Sequence, residues 1–250
     1  LSLNRTNLIG VIIPDVAHPF FAALLHEVEI ALYDYGYKTM VCSTGEKKNA
    51  ELAFLEMLRR HTMDGLIIGA HALHIENYRH IDLPVIAFDR YLCDEIPIIR
   101  ADHHPGAQTV HTTAHEHEDI FASCIEAAGV QLDSIVVPAN ALQPKDFASA
   151  AREIFERYPD VDAISGADLG AICALREASR RGRRCPDDLS IVAYDGTYLT
   201  RLGPQTMTAV VQPIPALGRR AAEAIVHRIR SEELPSLTPL PMTFQEGETC

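Results

Sequence analysis

The sequence contains no tryptophan, so any aromatic surface for a ligand has to be built from phenylalanine or tyrosine. Long apolar runs are missing as well, since no stretch reaches the ~18 residues that a membrane-spanning helix needs. No basic segment followed by an apolar one, as in a secretory signal peptide, is present at the start. The composition of 47 % hydrophobic and 22 % charged residues is typical of a soluble globular protein. These features predict a cytoplasmic protein without a membrane partner.

The six cysteines are scattered along the chain without a close pair. Such spacing predicts neither a disulfide framework nor a zinc site, and it fits a reducing cytoplasm. The net charge of −12 argues against direct contact between this chain and nucleic-acid phosphates. This charge does not exclude nucleic-acid binding by a separate basic segment of the same protein that is not part of this sequence.

Catalytic motifs are missing too. The sequence has no glycine-rich dinucleotide turn, no phosphate loop, no nucleophile elbow and no zinc helix with paired histidines. His111, His115 and His117 lie close together among acidic residues, but they form no matched ligand set, which favours a solvated polar surface over a metal site. We therefore predict no catalytic residues, no metal and no cofactor.

Strand-like and helix-like segments alternate along the chain. Residues 8–13 form an apolar run of strand length, and apolar residues at helical spacing follow from Phe21 to Tyr35, before Gly36. Further strands are predicted at 37–42, 66–68, 84–88, 97–99, 134–137, 163–165 and 190–194, with helices centred on Ala150, Ala174 and Ala222. Continuous Val/Ile runs separated by helices predict parallel sheets covered on both faces. This number of strands favours two doubly wound lobes, divided near Ala101.

Acidic residues follow several of the predicted strands, namely Asp15, Asp89, Asp102, Asp168 and Asp195. Because the carboxyl ends of parallel strands meet at one edge, these carboxylates are expected to line a cleft. Carboxylates accept hydrogen bonds from hydroxyl and amine groups, so the cleft suits a polyol or sugar better than a phosphate. Helix capping is an equally supported role for Asp15 and Asp168, whereas Asp89 and Asp195 precede loops.

Two adjacent phenylalanines, Phe20 and Phe21, follow the first strand and its Pro14-Asp15 turn. In the crevice at the strand ends, a flat apolar face of a ligand could stack on their rings. Packing in the protein interior is the alternative role for both rings.

Several segments, taken in order and spacing, resemble the ligand-binding core of the LacI (lac repressor) family of bacterial transcription regulators. They are 7–15, 19–21, 64–68, 88–90, 187–195 and 207–213. The resemblance implies an α/β fold like that of periplasmic sugar-binding proteins, with two doubly wound parallel-sheet lobes joined by a hinge. The N-terminal lobe would comprise residues 1–101 plus 213–235, and the C-terminal lobe residues 102–212 plus 236–250.

The resemblance also implies a function. The chain would be the effector-binding and dimerisation core of a regulator that acts as a repressor, forms a homodimer and contacts operator DNA through an N-terminal headpiece outside this sequence. A sugar or related metabolite would bind between the lobes, and the candidate ligand-binding residues are His18, Phe20, Phe21, Asp89, Arg90, Asp168, Tyr194, Asp195 and Gln212. Replacing Asp89 or Asp195 with alanine should abolish ligand binding and leave the melting temperature nearly unchanged. A periplasmic sugar-binding protein of a transport system is the alternative, and the missing leader and unpaired cysteines weigh against it.

Two departures from the family pattern stand out. Ala167-Asp168 replaces the usual Asn-Asp, which removes an amide contact to the ligand. Residues 115–119 join two helices directly, where the family has a strand and a loop with a ligand-holding arginine. Either this strand has been lost or the sequence omits residues there, and the gap that a lost strand would leave in a parallel sheet favours omission.

Overall fold

A computed structural model describes residues 5–45, 47–59, 63–69, 78, 83–89, 91–102, 131–137 and 144–250. The chain divides into two compact units. We call them the N-terminal unit, which comprises Leu1–Ala128 and Ile214–Leu240, and the C-terminal unit, which comprises Gly129–Pro213 and Pro241–Cys250.

Strands and helices alternate through most of the described residues. The strands are β1 (Leu8–Ile13), β2 (Lys38–Ser43), β3 (Gly65–Ile68), β4 (Val85–Phe88), β5 (Ile98–Ile99), β6 (Ala101–Asp102), β7 (Ala163–Ala167), β8 (Ser190–Asp195), β9 (Thr208–Val211), β10 (Leu240–Pro241) and β11 (Thr243–Gln245). The helices are α1 (Pro19–Asp34), α2 (Lys48–Arg59), α3 (Pro144–Arg157), α4 (Asp168–Arg180) and α5 (Ile214–Arg230), with a 3₁₀ turn at Tyr198–Arg201.

The N-terminal unit is built on a parallel sheet with the strand order β2-β1-β3-β4-β5. Helices cover both faces, as two consecutive residues of β3 show. Leu66 belongs to a core cluster with Phe54 of α2, whereas Gly65 lies against Ile225 of α5. Because consecutive strand residues point to opposite faces, α2 and α5 pack on opposite sides of the sheet. Burial on both faces explains why β1 is apolar throughout.

Helix α5 lies directly against α1 at Gly218. A Cβ atom built at Gly218 would lie 2.5 Å from Glu27 Cβ and 3.1 Å from the backbone nitrogen of Val28. We expect Gly218→Ala to lower the free energy of unfolding by about 2 kcal/mol, because the two helices must move apart. Gly170→Ala is the matched control in α4, since its Cβ would make an ordinary 3.7 Å contact with Phe147. Urea denaturation measures both variants, and equal midpoints for the two would contradict the expectation.

The C-terminal unit contains a four-stranded sheet with the order β11-β9-β8-β7. β7, β8 and β9 are parallel, as predicted, whereas β11 pairs antiparallel with β9. Helix α4 packs on this sheet through Ala171, Ala174 and Ala178, which are at most 1 % exposed. Their small side chains let the helix backbone lie close to Ile191 of β8. β6 and β10 form a separate two-stranded ladder.

The predicted strand at 134–137 is wrong. Residues 131–137 form no strand, and Val136 is 78 % exposed. An apolar run becomes a strand when a neighbouring strand pairs with its backbone, and the run alone does not determine whether such a partner is available.

The limits of the two units differ from the predicted lobes at three places, and the first is Pro213, which belongs to the C-terminal unit. Residues 236–240 belong to the N-terminal unit, where Thr238 O accepts a hydrogen bond from Arg220 and Leu240 N donates to Arg100 O at 3.0 Å. The third difference concerns residues 102–128, of which 103–128 lie outside the described residues. The lobe limits therefore stay a prediction.

Within the described part of the chain, no helix is both long and apolar enough to cross a membrane.

Candidate ligand-binding site

In the N-terminal unit, β1, β2, β3 and β4 end at the same edge of the sheet. Their register pairs Ile13 with Ser43 and Ile68 with Ala87, so the residues after each strand are neighbours. Asp15 shapes the turn that follows β1. Its Oδ1 accepts a hydrogen bond from Ala17 N at 2.9 Å, and its carbonyl oxygen accepts one from His18 N at 3.3 Å. Asp15 therefore sets the direction in which α1 starts.

The two adjacent phenylalanines have different environments. Phe20 is 4 % exposed and packs against Phe88, with the ring centroids 6.1 Å apart. Phe21 is partly exposed, stands edge-on to Phe20 at 5.2 Å, and reaches over Gly69 at the end of β3. Phe20 therefore has the alternative role of packing in the protein interior, and its ring supports that of Phe21. Phe21 is the better candidate for contact with a ligand, and the ligand contact of Phe20 stays a prediction.

His18 lies beside Phe21, with the ring centroids 5.4 Å apart. Burial lowers the pKa of His18 below its ordinary value of 6.5, against the opposing effect of the Asp15 carboxylate. The buried Nδ1 atom has no hydrogen-bond partner among the described residues. Burial therefore favours the neutral imidazole of His18, and the ligand contact of His18 stays a prediction.

The lowered pKa of His18 predicts how stability depends on pH. Between the folded-state pKa and 6.5 the unfolded chain binds more protons at this position, so the stability contribution is lost as the pH falls below 6.5. We expect acidification from pH 7.5 to 5.5 to lower the melting temperature of the wild type more than that of His18→Asn. The control is His26→Asn, at an exposed position of α1, which should respond like the wild type. Identical responses of all three proteins would contradict the prediction.

Asp89 follows β4 and is partly buried. Its backbone has a φ of 62°, a left-handed conformation that aspartate and asparagine adopt more readily than most residues. The amide of Asp89 donates to Ile99 O at 2.9 Å, which fixes this strand end against β5. Arg90 lies outside the described residues, as do His111 and residues 115–119.

Asp168 in the C-terminal unit holds the loop after β8. It is 3 % exposed, and its carboxylate accepts hydrogen bonds from Gly196 N at 3.1 Å, Thr197 N at 2.7 Å and Thr197 Oγ1 at 2.6 Å. Burial raises the pKa of Asp168, and these hydrogen bonds oppose the increase. The capping role is wrong for Asp168, because it is the first residue of α4 and Ala167 is the N-cap. Its predicted direct contact with a ligand stays a prediction.

Asp195 and Gln212 form a buried pair at the ends of the neighbouring strands β8 and β9. Gln212 Nε2 donates to Asp195 Oδ1 at 2.8 Å, and Gln212 N donates to Asp195 O at 3.0 Å. Only the NH₂ group of the amide can donate to a carboxylate, so Nε2 of Gln212 faces Asp195. The other end of the amide, Oε1, is a hydrogen-bond acceptor that points away from that carboxylate oxygen. This oxygen is buried and has no hydrogen-bond partner within the described ranges.

The expectation for Asp195→Ala needs a correction. Asp195 is 8 % exposed, so alanine would leave the Gln212 amide without its acceptor and lower the melting temperature as well. The neighbouring Tyr194 is partly buried, and its hydroxyl donates to Met242 Sδ at 3.6 Å.

Gly196 and Thr197 are two further residues of this site that were not predicted from the sequence, although an Asp-Gly pair after a strand is a turn signal. Gly196 has a φ of 64°, and a Cβ there would lie 2.5 Å from Val211 Cγ2. The structure brings His18, Phe20 and Phe21 together in one unit, and Asp168, Asp195 and Gln212 in the other.

No group of three or more potential metal ligands occurs in the parts of the chain that the structure describes.

Comparison with known proteins identifies the family. Residues 93–250 match the family model of a periplasmic binding protein-like domain, and residues 6–120 match that of periplasmic binding proteins and the sugar binding domain of the LacI family. The chain is 30 % identical over 252 residues to the ribose operon repressor of Halalkalibacterium halodurans, covering 92 % of this chain and 75 % of that protein. The chain belongs to the LacI family of transcriptional regulators.

Other LacI-family proteins agree with this assignment. The sucrose operon repressor of Pediococcus pentosaceus is 30 % identical over 269 residues, covering 99 % of this chain and 82 % of that protein. Both relatives are named as repressors and not as enzymes. The fold matches that of a periplasmic binding protein/LacI transcriptional regulator from Alkaliphilus metalliredigens QYMF, complexed with D-xylulofuranose, with a TM-score of 0.83 and 23 % identity over 97 % of this chain and 98 % of that one. The predicted fold class and family are confirmed.

Proposed function

We propose that this LacI-family chain is the effector-binding and dimerisation core of a repressor, and that its effector is a neutral sugar or a related metabolite. The observation that carries the proposal is the buried Asp195–Gln212 pair at the ends of two parallel strands, in a chain 30 % identical to repressors of sugar operons. The LacI-family regulator with the same fold is itself complexed with a sugar.

The polar groups at these strand ends favour a ligand rich in hydrogen-bond donors. Gln212 Oε1 is a buried acceptor, and the Asp195 carboxylate beside it repels an anion. Hydroxyl groups of a sugar can donate to both residues. In the N-terminal unit, Phe21 offers an apolar ring edge, and His18 offers an uncharged nitrogen. A neutral polyol therefore fits better than a sugar phosphate.

The effector would contact both units and thereby favour one of their arrangements. A ligand shifts such an equilibrium by its differential affinity for the two states, and the coupling is typically worth ~1–3 kcal/mol. The chain has a net charge of −12, so we assign DNA contact to a separate basic headpiece on each protomer of a homodimer in the cytoplasm. The dimer would convert the change within the core into a change of headpiece spacing, on which recognition of two half-sites depends.

Isothermal titration calorimetry tests the ligand assignment. The chain is titrated with D-ribose, sucrose and D-xylulose, and with D-ribose 5-phosphate as the anionic control. We expect one neutral sugar to bind at least about tenfold more tightly than the phosphate. In the full-length protein, the same sugar should change affinity for operator DNA. Binding of the phosphate alone, or an operator affinity that ignores every bound sugar, would contradict the proposal.

A further inference from the structure

Two cysteines that are 65 positions apart in the sequence lie close together in the C-terminal unit. Cys185 Sγ donates a hydrogen bond to Thr249 O at 3.2 Å, and Cys250 is the next residue. The geometry of the peptide bond then places the Cα atom of Cys250 within about 6 Å of Cys185 Sγ. Burial raises the pKa of the Cys185 thiol, and the charge of Cys250 adds to that increase.

The backbone around both cysteines is held in place. Thr249 is fully buried, its carbonyl oxygen accepts from Ile191 N at 2.7 Å, and its Oγ1 donates to Ile191 O at 2.6 Å. On the other side, Cys185 O accepts from Gln205 Nε2 at 3.0 Å. These bonds hold the backbone at Thr249 and at Cys185, and the exposed Cys250 side chain has to turn toward Cys185 for the two sulfurs to meet.

We propose that Cys185 and Cys250 are an oxidation-sensitive pair that forms an intrachain disulfide on exposure to a hydroperoxide. Both thiols are free in this structure, and the exposed Cys250 is the one that an oxidant reaches first. The more buried Cys185 is the resolving thiol, which reacts with the oxidised sulfur of its neighbour.

The chemistry proceeds in two balanced steps with hydrogen peroxide as the oxidant. The Cys250 thiolate attacks one peroxide oxygen, the O–O bond breaks, and a sulfenic acid and hydroxide form. The Cys185 thiolate then attacks Cys250 Sγ, the S–S bond forms, and the S–O bond breaks as hydroxide leaves. The two thiol protons convert the hydroxides to two waters, and the two electrons from the thiols reduce the peroxide.

The disulfide would fasten the 247–250 segment to the loop that precedes β8. The enclosed chain carries Asp195 and Gln212, so oxidation constrains the part of the C-terminal unit that contains the candidate ligand site. A crosslink that encloses a long loop stabilises the fold by restricting the unfolded chain. We expect the melting temperature to rise by about 5 °C on oxidation and to return when dithiothreitol is added.

Mass spectrometry of the 250-residue chain tests the proposal. The reduced protein is treated with hydrogen peroxide, remaining thiols are alkylated, and the digest is examined for a peptide that links Cys185 to Cys250. We expect this peptide in the wild type and in Cys173→Ser, a matched control because Cys173 is also half-buried and also donates to a carbonyl oxygen. Cys250→Ser should lose the peptide, leave Cys185 alkylated, and show no oxidation-dependent change in melting temperature.

Three results would overturn the proposal. The first is a Cys250 that oxidises to sulfinic acid while Cys185 stays alkylated. The second is a disulfide from Cys250 to any other cysteine, including one between two chains, which non-reducing electrophoresis detects. The third is an oxidation-dependent rise in melting temperature that persists in Cys250→Ser.

Discussion

Replacing Asp168 with alanine is expected to lower the free energy of unfolding by about 3 kcal/mol, because three hydrogen-bond donors lose their shared acceptor. The donors are Gly196 N, Thr197 N and Thr197 Oγ1, all within 3.1 Å of the buried carboxylate. Both Gly196 and Thr197 are themselves buried, so water does not readily replace the lost oxygens. Urea denaturation followed by circular dichroism measures the change.

Two further variants sharpen this test. Asp168→Asn retains the size of the side chain but has one acceptor oxygen, and its NH₂ group faces a donor, so it should lose most of the same stability. Asp160→Ala removes an exposed carboxylate from the same unit and should leave the unfolding midpoint nearly unchanged. If Asp168→Ala unfolds at the same urea concentration as Asp160→Ala, the buried hydrogen bonds do not hold the loop after β8.

Asp195→Asn is expected to weaken sugar binding by about 30-fold and to change the melting temperature little. A hydrogen bond to a charged group contributes more than one to a neutral group, roughly 1.5–3 kcal/mol, so loss of the charge reduces affinity strongly. The asparagine Oδ1 can still accept from Gln212 Nε2, and asparagine tolerates the φ of 102° at this position. Stability and binding are thereby separated, which Asp195→Ala does not achieve.

Calorimetry with the sugar that the wild type binds measures the effect, and thermal unfolding monitors the fold. Asp160→Asn is the matched control, because it removes the same charge at an exposed position. Asp89→Asn makes the corresponding change in the N-terminal unit and retains a residue suited to a φ of 62°. Wild-type affinity in both Asp195→Asn and Asp89→Asn would place the ligand elsewhere in the protein.

The sequence by itself determined the fold class and the family. Apolar runs such as 8–13 and the helical spacing after Phe20 are local patterns, and burial on both faces of a parallel sheet follows from them. The order of the motifs 7–15, 64–68 and 187–195 was sufficient to indicate the LacI family, which the family models confirmed. The candidate strand ends at Asp89 and Asp195 also follow from these local patterns.

Tertiary structure alone decided the partners of the polar side chains and the pairing of strands. Asp168 appeared equally suited to capping its own helix, yet its oxygens bind Gly196 and Thr197, nearly 30 residues away. The run at 134–137 looks like a strand, and β11 gives no sign of antiparallel pairing with β9, because a ladder partner is supplied by a distant segment. Hydrophobic periodicity reports which side of a segment is buried, whereas hydrogen-bond partners depend on how the completed fold brings distant residues together.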